Sequence, residues 1–383
     1  MKILHTADWH LGRTLHHNDL IKEQEFVLKQ IVAIVSTQKP DVLIIAGDIY
    51  DRSVPPASAV TLLNDTIIAI TELSVPIIAI AGNHDSSERL DYVQQLLSRQ
   101  NFHIFGTFKR EIPKVVLEDE LGKVHFYCVP YITPDEARYV FDDNSLKSHE
   151  DAMKTIINEI MLSHPKNERS VLIGHCFVAG GIETDSERKI MSIGGSELIK
   201  ASVFEPFDYV ALGHLHRMHS HLGGKVHYSG SIYKYSVSET EHQKSVSMFD
   251  LTDKGIENFT VIDLIPQKNV LRVSGRIEDK KFHLSEKSVI PQKNDFLEVK
   301  LENESLVTNA MNIIQNDYVN TISLRYAQSF HKDSQNAVTS EELKKLDEKE
   351  LFTNFFRKAV NRELTDNQKN LLTIAIQKAQ ENE

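Results

Sequence analysis

Short apolar runs that break off at polar clusters recur through the first half of the chain, at Lys2–His5, Val42–Ala46, Ile77–Ala81, Val171–Ile173 and Tyr209–Leu212. They are rich in Val and Ile and bounded by Gly, Asp or His, the pattern of short buried strands. Helical periodicity fills the gaps. Val27, Ile31 and Ile34 recur at helical spacing, and Pro40 stops that element before the next strand. After Pro55-Pro56 one stripe runs Val60, Leu63, Ile67, Ile70 and another runs Leu62, Ala69, Leu73. Two stripes predict two buried faces, one on the sheet and one against another subunit. A third helix is expected from near Ser86, carrying Leu90, Val93 and Leu97. Strands alternating with helices indicate an α/β domain.

Around Pro266 the pattern changes. Leu297, Val299 and Leu301 alternate with Glu298 and Lys300, and Ile322, Leu324 and Tyr326 alternate with Ser323 and Arg325. Such alternation predicts one-sided strands, and Leu306, Ala310 and Ile313 between them make a helical stripe. The expected organisation is a large α/β domain over residues 1–265, a small α+β module over 266–328, and a polar linker with a C-terminal helical pair over 329–383. The first tail helix carries Leu351, Phe352, Phe355, Phe356 and Val360. The second starts with a capping box, Thr365 with Gln368, and carries Leu372, Ile376 and Ala379. That aromatic stripe is more apolar than a free hairpin should expose, and reads as a docking site for a partner helix or coiled coil.

Composition narrows the class only a little. Of the 383 residues, 41% are hydrophobic and 25% charged, ordinary globular values. Runs such as Ile67–Ile70 and Ile77–Ala81 are far shorter than the ~18 residues of a membrane span, and the first residues lack the apolar stretch of a signal peptide. Two cysteines, Cys128 and Cys176, cannot build a disulfide framework, so a cytoplasmic location is expected. A net charge of −11 argues against a broad basic surface for nucleic acid but leaves room for a local groove. The chain has no G-x-x-x-x-G-K-[ST], so any ATP dependence comes from another polypeptide.

The informative chemistry lies where strands end. Asp8 and His10 stand in ADWHLG, Asp48 in IAGDIYD, Asn83 and His84 in IAGNHD, His175 in IGHCFVAG, and His214 and His216 in LGHLH. In an open α/β sheet the carboxyl ends of strands face the binding crevice. Asp8-x-His10 and His214-x-His216 are i, i+2 pairs that point to one side of an extended chain. Glycine precedes Asp48, Asn83, His175 and His214, allowing the backbone to turn and approach closely. One such segment alone is as readily an ordinary turn; five of them can deliver ligands to one place. Carboxylate, imidazole and amide oxygen without thiolate suit Mn²⁺, Fe²⁺ or Zn²⁺. Two ions ~3.5–4 Å apart are an arrangement for in-line displacement at phosphorus.

The ordered set D-x-H, G-D-x-x-D, G-N-H-D, G-H and G-H-x-H resembles the calcineurin-like metallophosphoesterases. Within them HTADWHLGRTL, GDIYDRSVPP, GNHDS, HCFVAGG and GHLHRMH are most similar to the SbcD nuclease subunits. The resemblance implies an α/β metallophosphoesterase fold of two packed mixed β-sheets flanked by helices, followed by a small α+β capping domain and a C-terminal helical pair. It implies that Asp8, His10, Asp48 and His216 hold one divalent ion and that Asp48, Asn83, His175 and His214 hold a second, with Asp48 bridging and Mn²⁺ the expected metal. His84 resembles the family's non-ligand histidine that contacts the scissile phosphate and assists the leaving oxygen. The implied substrates are DNA ends and hairpins, cut 3′–5′ on duplex and endonucleolytically on single strands, in nucleoid-associated recombination, replication and repair. The implied partner is an SbcC-like ATPase of the SMC family, bound by the C-terminal helices to a homodimer within a heterotetramer. Ile232 departs from the pattern, since many relatives carry proline after S-G-S.

Arg13, His17, Arg52 and Arg89 flank the ligands and are expected to contact DNA phosphates; the plainer alternative is surface ion pairs worth ~0–1 kcal/mol. Cys176 is expected to be buried, facing away from the ligands. His219 and His221 continue past Arg217 into HLGGK and are expected to lie solvated in a turn. Two rival functions remain: hydrolysis of a small phosphoester on the same scaffold, and a non-catalytic DNA-end clamp. The extension after Pro266 argues against the first, and the complete ligand set argues against the second.

Overall fold

The computed structural model describes residues 1–92, 94–187 and 198–327 and, in the tail, residues 350, 352–353, 356–357, 363–366, 368–369, 371–373 and 376. The chain forms two compact units, Met1–Tyr326 and Ala327–Glu383. The first runs β1 (Lys2–Thr6), a small hairpin of β2 (Thr14–Leu15) and β3 (Asn18–Asp19), α1 (Ile21–Gln38), β4 (Val42–Ala46), α2 (Ala57–Thr71), β5 (Ile77–Ile80), α3 (Ser87–Asp91), α4 (Gln94–Ser98), β6 (Phe102–Phe105), β7 (Lys114–Asp119) and β8 (Gly122–Val129). Next come α5 (Pro134–Phe141), α6 (His149–Ser163), β9 (Arg169–His175), β10 (Tyr209–Gly213), β11 (His219–His221), β12 (Val226–Tyr228), β13 (Ser245–Thr252) and β14 (Gly255–Asp263). The unit closes with β15 (Val270–Glu278), β16 (Lys281–Leu284), β17 (Phe296–Leu301), α7 (Ala310–Asp317) and β18 (Thr321–Tyr326).

Two six-stranded mixed sheets, β14-β13-β1-β4-β5-β6 and β11-β12-β10-β9-β8-β7, pack face to face. Ile3, Val42, Ile44, Ile78 and Ile80 of the first share one core with Phe126, Val171, Ile173 and Tyr209 of the second. The outer face of the first sheet is covered by α1 and α2, through Val27, Ile31, Val35, Leu63, Ile67 and Ile70. The outer face of the second is covered by α5 and α6, through Phe141, Met153, Ile156 and Ile160. Central strands are therefore buried on both sides, as β4 is at every position, which is why they read as unbroken apolar runs. Strands β1, β4 and β5 pair in parallel, as do β9 and β10, so their carboxyl ends gather along one edge of the sandwich.

The capping module is a four-stranded sheet, β16-β15-β17-β18, with α7 packed on it through Ala310 and Ile314. Val270 and Phe296 join the same core as α1, so packing is continuous across the change of pattern at Pro266. Leu297, Val299 and Leu301 are buried as expected, but Glu298 is buried too, held by Arg272 and by Arg325 at 2.9 Å.

Several local expectations need correcting. Leu62 and Ala69 of the second α2 stripe are half-buried and line an open groove between α1 and α2 beside Leu28 and Val32. Val60, Ile68 and Leu73 are the exposed apolar residues there. The helix expected from Ser86 is broken in two, because Tyr92 leaves helical geometry and the Asp91 carboxylate turns to the Gly106 amide at 2.7 Å; Val93 lies outside the described residues. Leu306 is exposed and precedes α7, whose start is fixed by Asn309 in a left-handed conformation, φ 57°, and Ile314 rather than Ile313 is the fully buried residue. In the tail the capping box forms, with the Gln368 amide N donating to Thr365 Oγ1 at 3.4 Å and the Thr365 amide donating to Gln368 Oε1 at 3.0 Å. Leu351, Phe355, Val360, Ala379 and the linker over 328–338 lie outside the described residues. Among the described residues no helix is long and apolar enough to cross a membrane.

Gly213 ends β10 against β4: a Cβ there would stand 1.9 Å from the Ala46 carbonyl oxygen. Gly213→Ala is expected to destabilise the fold by about 3 kcal/mol, read as a lowered urea midpoint; an unchanged midpoint would show that the two sheets tolerate a wider gap.

Candidate metal centre

The strand ends are stitched into one cradle before any side chain is considered. The Asp8 amide donates to the Gly47 carbonyl at 3.1 Å and the His10 amide to the Asp48 carbonyl at 2.9 Å, joining the loops after β1 and β4. The His214 amide donates to Asp8 Oδ1 at 2.9 Å, tying the loop after β10 to the first. Asp8, His10, Asp48 and His214 adopt φ of 53°, 44°, 49° and 105°, conformations that non-glycine residues hold only when their surroundings compel it. A Cβ on Gly82 would lie 2.1 Å from Asp48 Oδ1, and one on Gly47 would lie 2.3 Å from His175 Nδ1. These glycines admit the ligand side chains. Gly174 differs, since a Cβ there meets only the Leu212 side chain, at 3.3 Å.

Every expected ligand converges. Asp8, His10 and His216 place one donor atom each within 4.8 Å of one another, as do Asp8, Asp48 and His175, and His10, Asp48 and His84. Asn83 Oδ1 stands 3.0 Å from His175 Nε2 and 3.3 Å from His214 Nδ1. Proton accounting tests whether a cation belongs there. His175 Nδ1 donates to the Ala46 carbonyl at 2.9 Å, so its Nε2, aimed at Asn83 Oδ1 and at Asp48 Oδ2 at 3.5 Å, is the nitrogen left for either a second proton or a cation. His10 Nε2 lies 2.9 Å from His216 Nε2 and 3.5 Å from Asp48 Oδ2, while its Nδ1, 3.7 Å from Asp51, makes no hydrogen bond. Donor atoms this close need either a proton or a metal ion between them, and buried His214 Nε2 and His84 Nε2 have no hydrogen-bond partner at all. The donor set fits divalent ions.

Electrostatics agree. Burial lifts Asp8 to about 7 against the pull of His175 and His216. Asp48 stays well below the usual carboxylate range although burial opposes it, because His175 and His10 lie beside it. Burial pulls His175 down, but the Asp48 carboxylate outweighs it and raises the ring to about 9. Burial and the neighbouring His175 lower His214 to about 3, leaving it neutral. Protons therefore occupy part of the cradle whenever metal does not.

Comparison with known proteins closes the question of family. A sequence profile described as calcineurin-like phosphoesterase matches residues 1–218, and one described as the type 5 capsule protein repressor C-terminal domain matches residues 266–359. The chain is 35% identical over 369 residues to the SbcD subunit of the nuclease SbcCD from Staphylococcus saprophyticus, covering 96% of each protein. The chain belongs to the calcineurin-like phosphoesterases, as an SbcD homologue. Solved structures with similarity include a dimetal phosphatase from Danio rerio, 13% identical with TM-score 0.40, and a Thermus thermophilus protein, 12% identical with TM-score 0.39. Each covers 69% of this chain and is itself 99% covered.

Around this calcineurin-like centre the other expected residues divide. His84 Nδ1 donates to the Asp51 carbonyl at 2.8 Å, and its ring packs edge-on against His10. Arg13 pairs with Asp51 at 3.0 Å, donates to the Ser186 carbonyl at 2.7 Å and lies over the Tyr235 ring. His17, Arg52 and Arg89 lie at least partly in solvent. Cys176 is buried. Ile232 is buried in the α1 core, its neighbour Ser231 donating its amide to the His216 carbonyl. His219 and His221 are half-buried on an edge strand paired antiparallel with β12, not solvated in a turn; that pairing is what removes them from water.

Sequence reasoning missed the residues that hold the ligands. Asp85 accepts from the Ile49, Tyr50 and Gly82 amides at 3.1, 2.8 and 2.9 Å, fastening the loop after β5 to the loop after β4. Glu187 accepts from the His216 amide at 2.7 Å, and Glu239, paired with Lys244, accepts from His216 Nδ1 at 3.1 Å. Only Asp85 carried a signal, as the fourth residue of GNHD.

Because protons on His175 (about 9) and Asp8 (about 7) compete with metal, affinity for Mn²⁺ is expected to rise with pH. The slope should be about one decade per unit between the two values and about two below the lower one. Calorimetric titration in buffers of different ionisation heat should register the released protons, and a pH-independent affinity would contradict this assignment.

Proposed function

We propose that this chain is a metal-dependent DNA nuclease subunit, cutting phosphodiesters at DNA ends and hairpins. The supporting observation is the convergence of carboxylate, imidazole and amide donors from five loops in one cradle, with His84 at its rim. The 35% identity to an SbcD subunit over nearly the whole of both proteins directs that chemistry to DNA. Asp8, His10, Asp48 and His216 would hold one ion, and Asp48, Asn83, His175 and His214 the other, with Mn²⁺ favoured by the carboxylate, imidazole and amide donors. When bound, a pair of divalent ions activates water for attack and neutralises charge on phosphoryl oxygens.

The remaining work falls to the chain itself. The Asp51 carbonyl fixes the His84 ring by taking the Nδ1 proton, and Nε2 is left without a hydrogen bond, 4.0 Å from Asp48. With Nδ1–H so committed, Nε2 donates only when the ring is imidazolium. In that state it hydrogen-bonds a non-bridging phosphate oxygen and then passes its proton to the departing 3′ oxygen. His17, Arg52 and Arg89 are available to meet DNA phosphates beyond the scissile one. Arg13 acts instead by bracing Asp51, and through it His84.

We place the polarity and partners in the same reading: 3′–5′ action on duplex, endonucleolytic cutting of single strands, and an SbcC-like SMC-family ATPase bound through the C-terminal helices. The capping sheet over 266–328 would shape DNA access, and exposed Val60, Ile68 and Leu73 on and just after α2 would serve a homodimer.

Purified protein with Mn²⁺ should cleave end-labelled hairpin DNA. His84→Ala should lower the rate about 10²–10⁴-fold with metal uptake retained. Cleavage of a small phosphodiester with hairpin DNA left intact, in the presence of the ATPase, would favour a small-ester hydrolase. A second test concerns the tail: removing residues 340–383 should abolish co-purification with the ATPase while leaving Mn²⁺ binding as it was, and retained co-purification would refute the docking role.

A further inference from the structure

The buried carboxylate of Glu239 is the feature of this molecule that the proposed reaction leaves unexplained. It is 0% exposed, lies in the short turn Val237–Glu239, and shares its pocket with the Lys244 ammonium, itself 5% exposed. A buried ion pair of this kind seldom stabilises a fold more than apolar residues of the same size would. The pair needs another reason to be there.

Hydrogen-bond accounting supplies one. Lys244 donates to Glu239, to Ser231 Oγ at 2.8 Å and to the His216 carbonyl at 2.8 Å, which uses all three of its protons. The ionised carboxylate can only accept. It takes the Ser186 hydroxyl proton at Oε1, and that oxygen also stands 3.1 Å from His216 Nδ1. Ser186 Oγ lies 2.8 Å from the same ring nitrogen, and its single hydrogen is already given to Glu239. Both groups around Nδ1 are therefore acceptors, so the ring proton must sit on Nδ1. His216 Nε2 is then an obligatory lone pair, pointing at His10 Nε2.

We propose that Glu239, oriented by Lys244, is a positioning residue that locks His216 in its metal-binding tautomer. This rests on the reading that His216 holds a divalent ion. The lock is supplied by the segment that leads into the capping sheet: Lys234 donates to the Thr240 and Val270 carbonyls at 2.6 and 3.3 Å, and Arg272 of β15 donates to the Val237 carbonyl at 3.3 Å. The turn carrying Glu239 is thus held from the capping side while its carboxylate reaches the metal side.

The test compares substitutions that keep shape and change only what faces Nδ1. In Glu239→Gln, Lys244 claims the amide oxygen, the amide NH₂ turns to Nδ1, and the ring proton is driven to Nε2. One of two Mn²⁺ ions should then bind about 10–100-fold more weakly, with the other unchanged, as followed by electron paramagnetic resonance of free Mn²⁺. Replacing Lys244 by Met as well frees the amide to present its oxygen, so E239Q/K244M should regain most of the loss. E239M/K244M, equally neutral but without an acceptor, should not. Thermal melting of each variant accompanies the titration, and because the two double variants carry no buried charge, they decide the matter even if Glu239→Gln alone fails to fold. Equal affinity in the two double variants would overturn the proposal. Wild-type protein that takes up no Mn²⁺ would overturn the ligand assignment, and this inference with it.

Discussion

Electron-pair donors crowded against one another, with too few protons of their own to satisfy them all, are the constraint around which this molecule is arranged. His10 Nε2 and His216 Nε2 stand 2.9 Å apart, and His175 Nε2 faces an amide oxygen at 3.0 Å. Left alone, such a cluster would spread apart or fill with protons, and the raised value of His175 shows the second tendency. The fold prevents the first. Two sheets with a shared core bring the ends of β1, β4, β5, β9 and β10 to one edge, and the close packing between them leaves no room for the loops to separate. The left-handed backbone at Asp8, His10, Asp48 and His214 is part of the same arrangement. Strain of this kind persists where the surrounding packing over-determines it.

The ligands are held by a second set of groups that share no motif. Asp85 binds three amides of two loops, Glu187 binds the His216 amide, and Glu239 binds its ring. Each is a carboxylate that accepts from N–H groups, so each supports a ligand without competing for the cation. The division is physical: oxygens and nitrogens with spare lone pairs face the centre, while carboxylates already occupied by N–H protons stand behind them. Lys244 fits the same scheme as the cation that lets a further carboxylate be buried there.

Much of the centre was legible because its chemistry is local in sequence. A ligand at a strand end needs a close backbone approach, and at Gly47, Gly82 and Gly213 any larger residue would collide with the site, so glycine and ligand appear side by side. Gly174 looks the same in sequence yet meets no such obstacle, which shows the limit of that inference. The holding groups were illegible for the opposite reason. Glu239 acts on His216 across 23 residues and Arg13 on Asp51 across 38, and neither distance leaves a periodic trace. Helical spacing likewise marked apolar positions but not where each helix begins: Leu62 and Ala69 line a groove beside α1, and a turn set by Asn309 cut Leu306 from its helix. His219 and His221 read as a turn because three residues of strand are too few to show alternation.

The net charge of −11 gains meaning once the centre is in view. A chain of that charge repels a polyanion at long range, and in ordinary salt the repulsion is screened beyond ~8 Å, so recognition of DNA has to be local. Arg13, beside the centre, pairs with Asp51 and donates to Ser186, and without metal the charges of Asp8 and Asp48 are balanced only by protons such as those on His175, which leaves no excess positive charge to draw phosphate. Divalent ions change that balance, since two of them outweigh two carboxylates and become the largest local charges. Metal would then be the switch that makes the cleft attractive to a phosphodiester as well as the reagent that activates water. The carboxylates behind the ligands have their lone pairs taken up by N–H donors, and Glu239 its charge balanced by Lys244, so they hold the ligands in place without themselves turning to the ions.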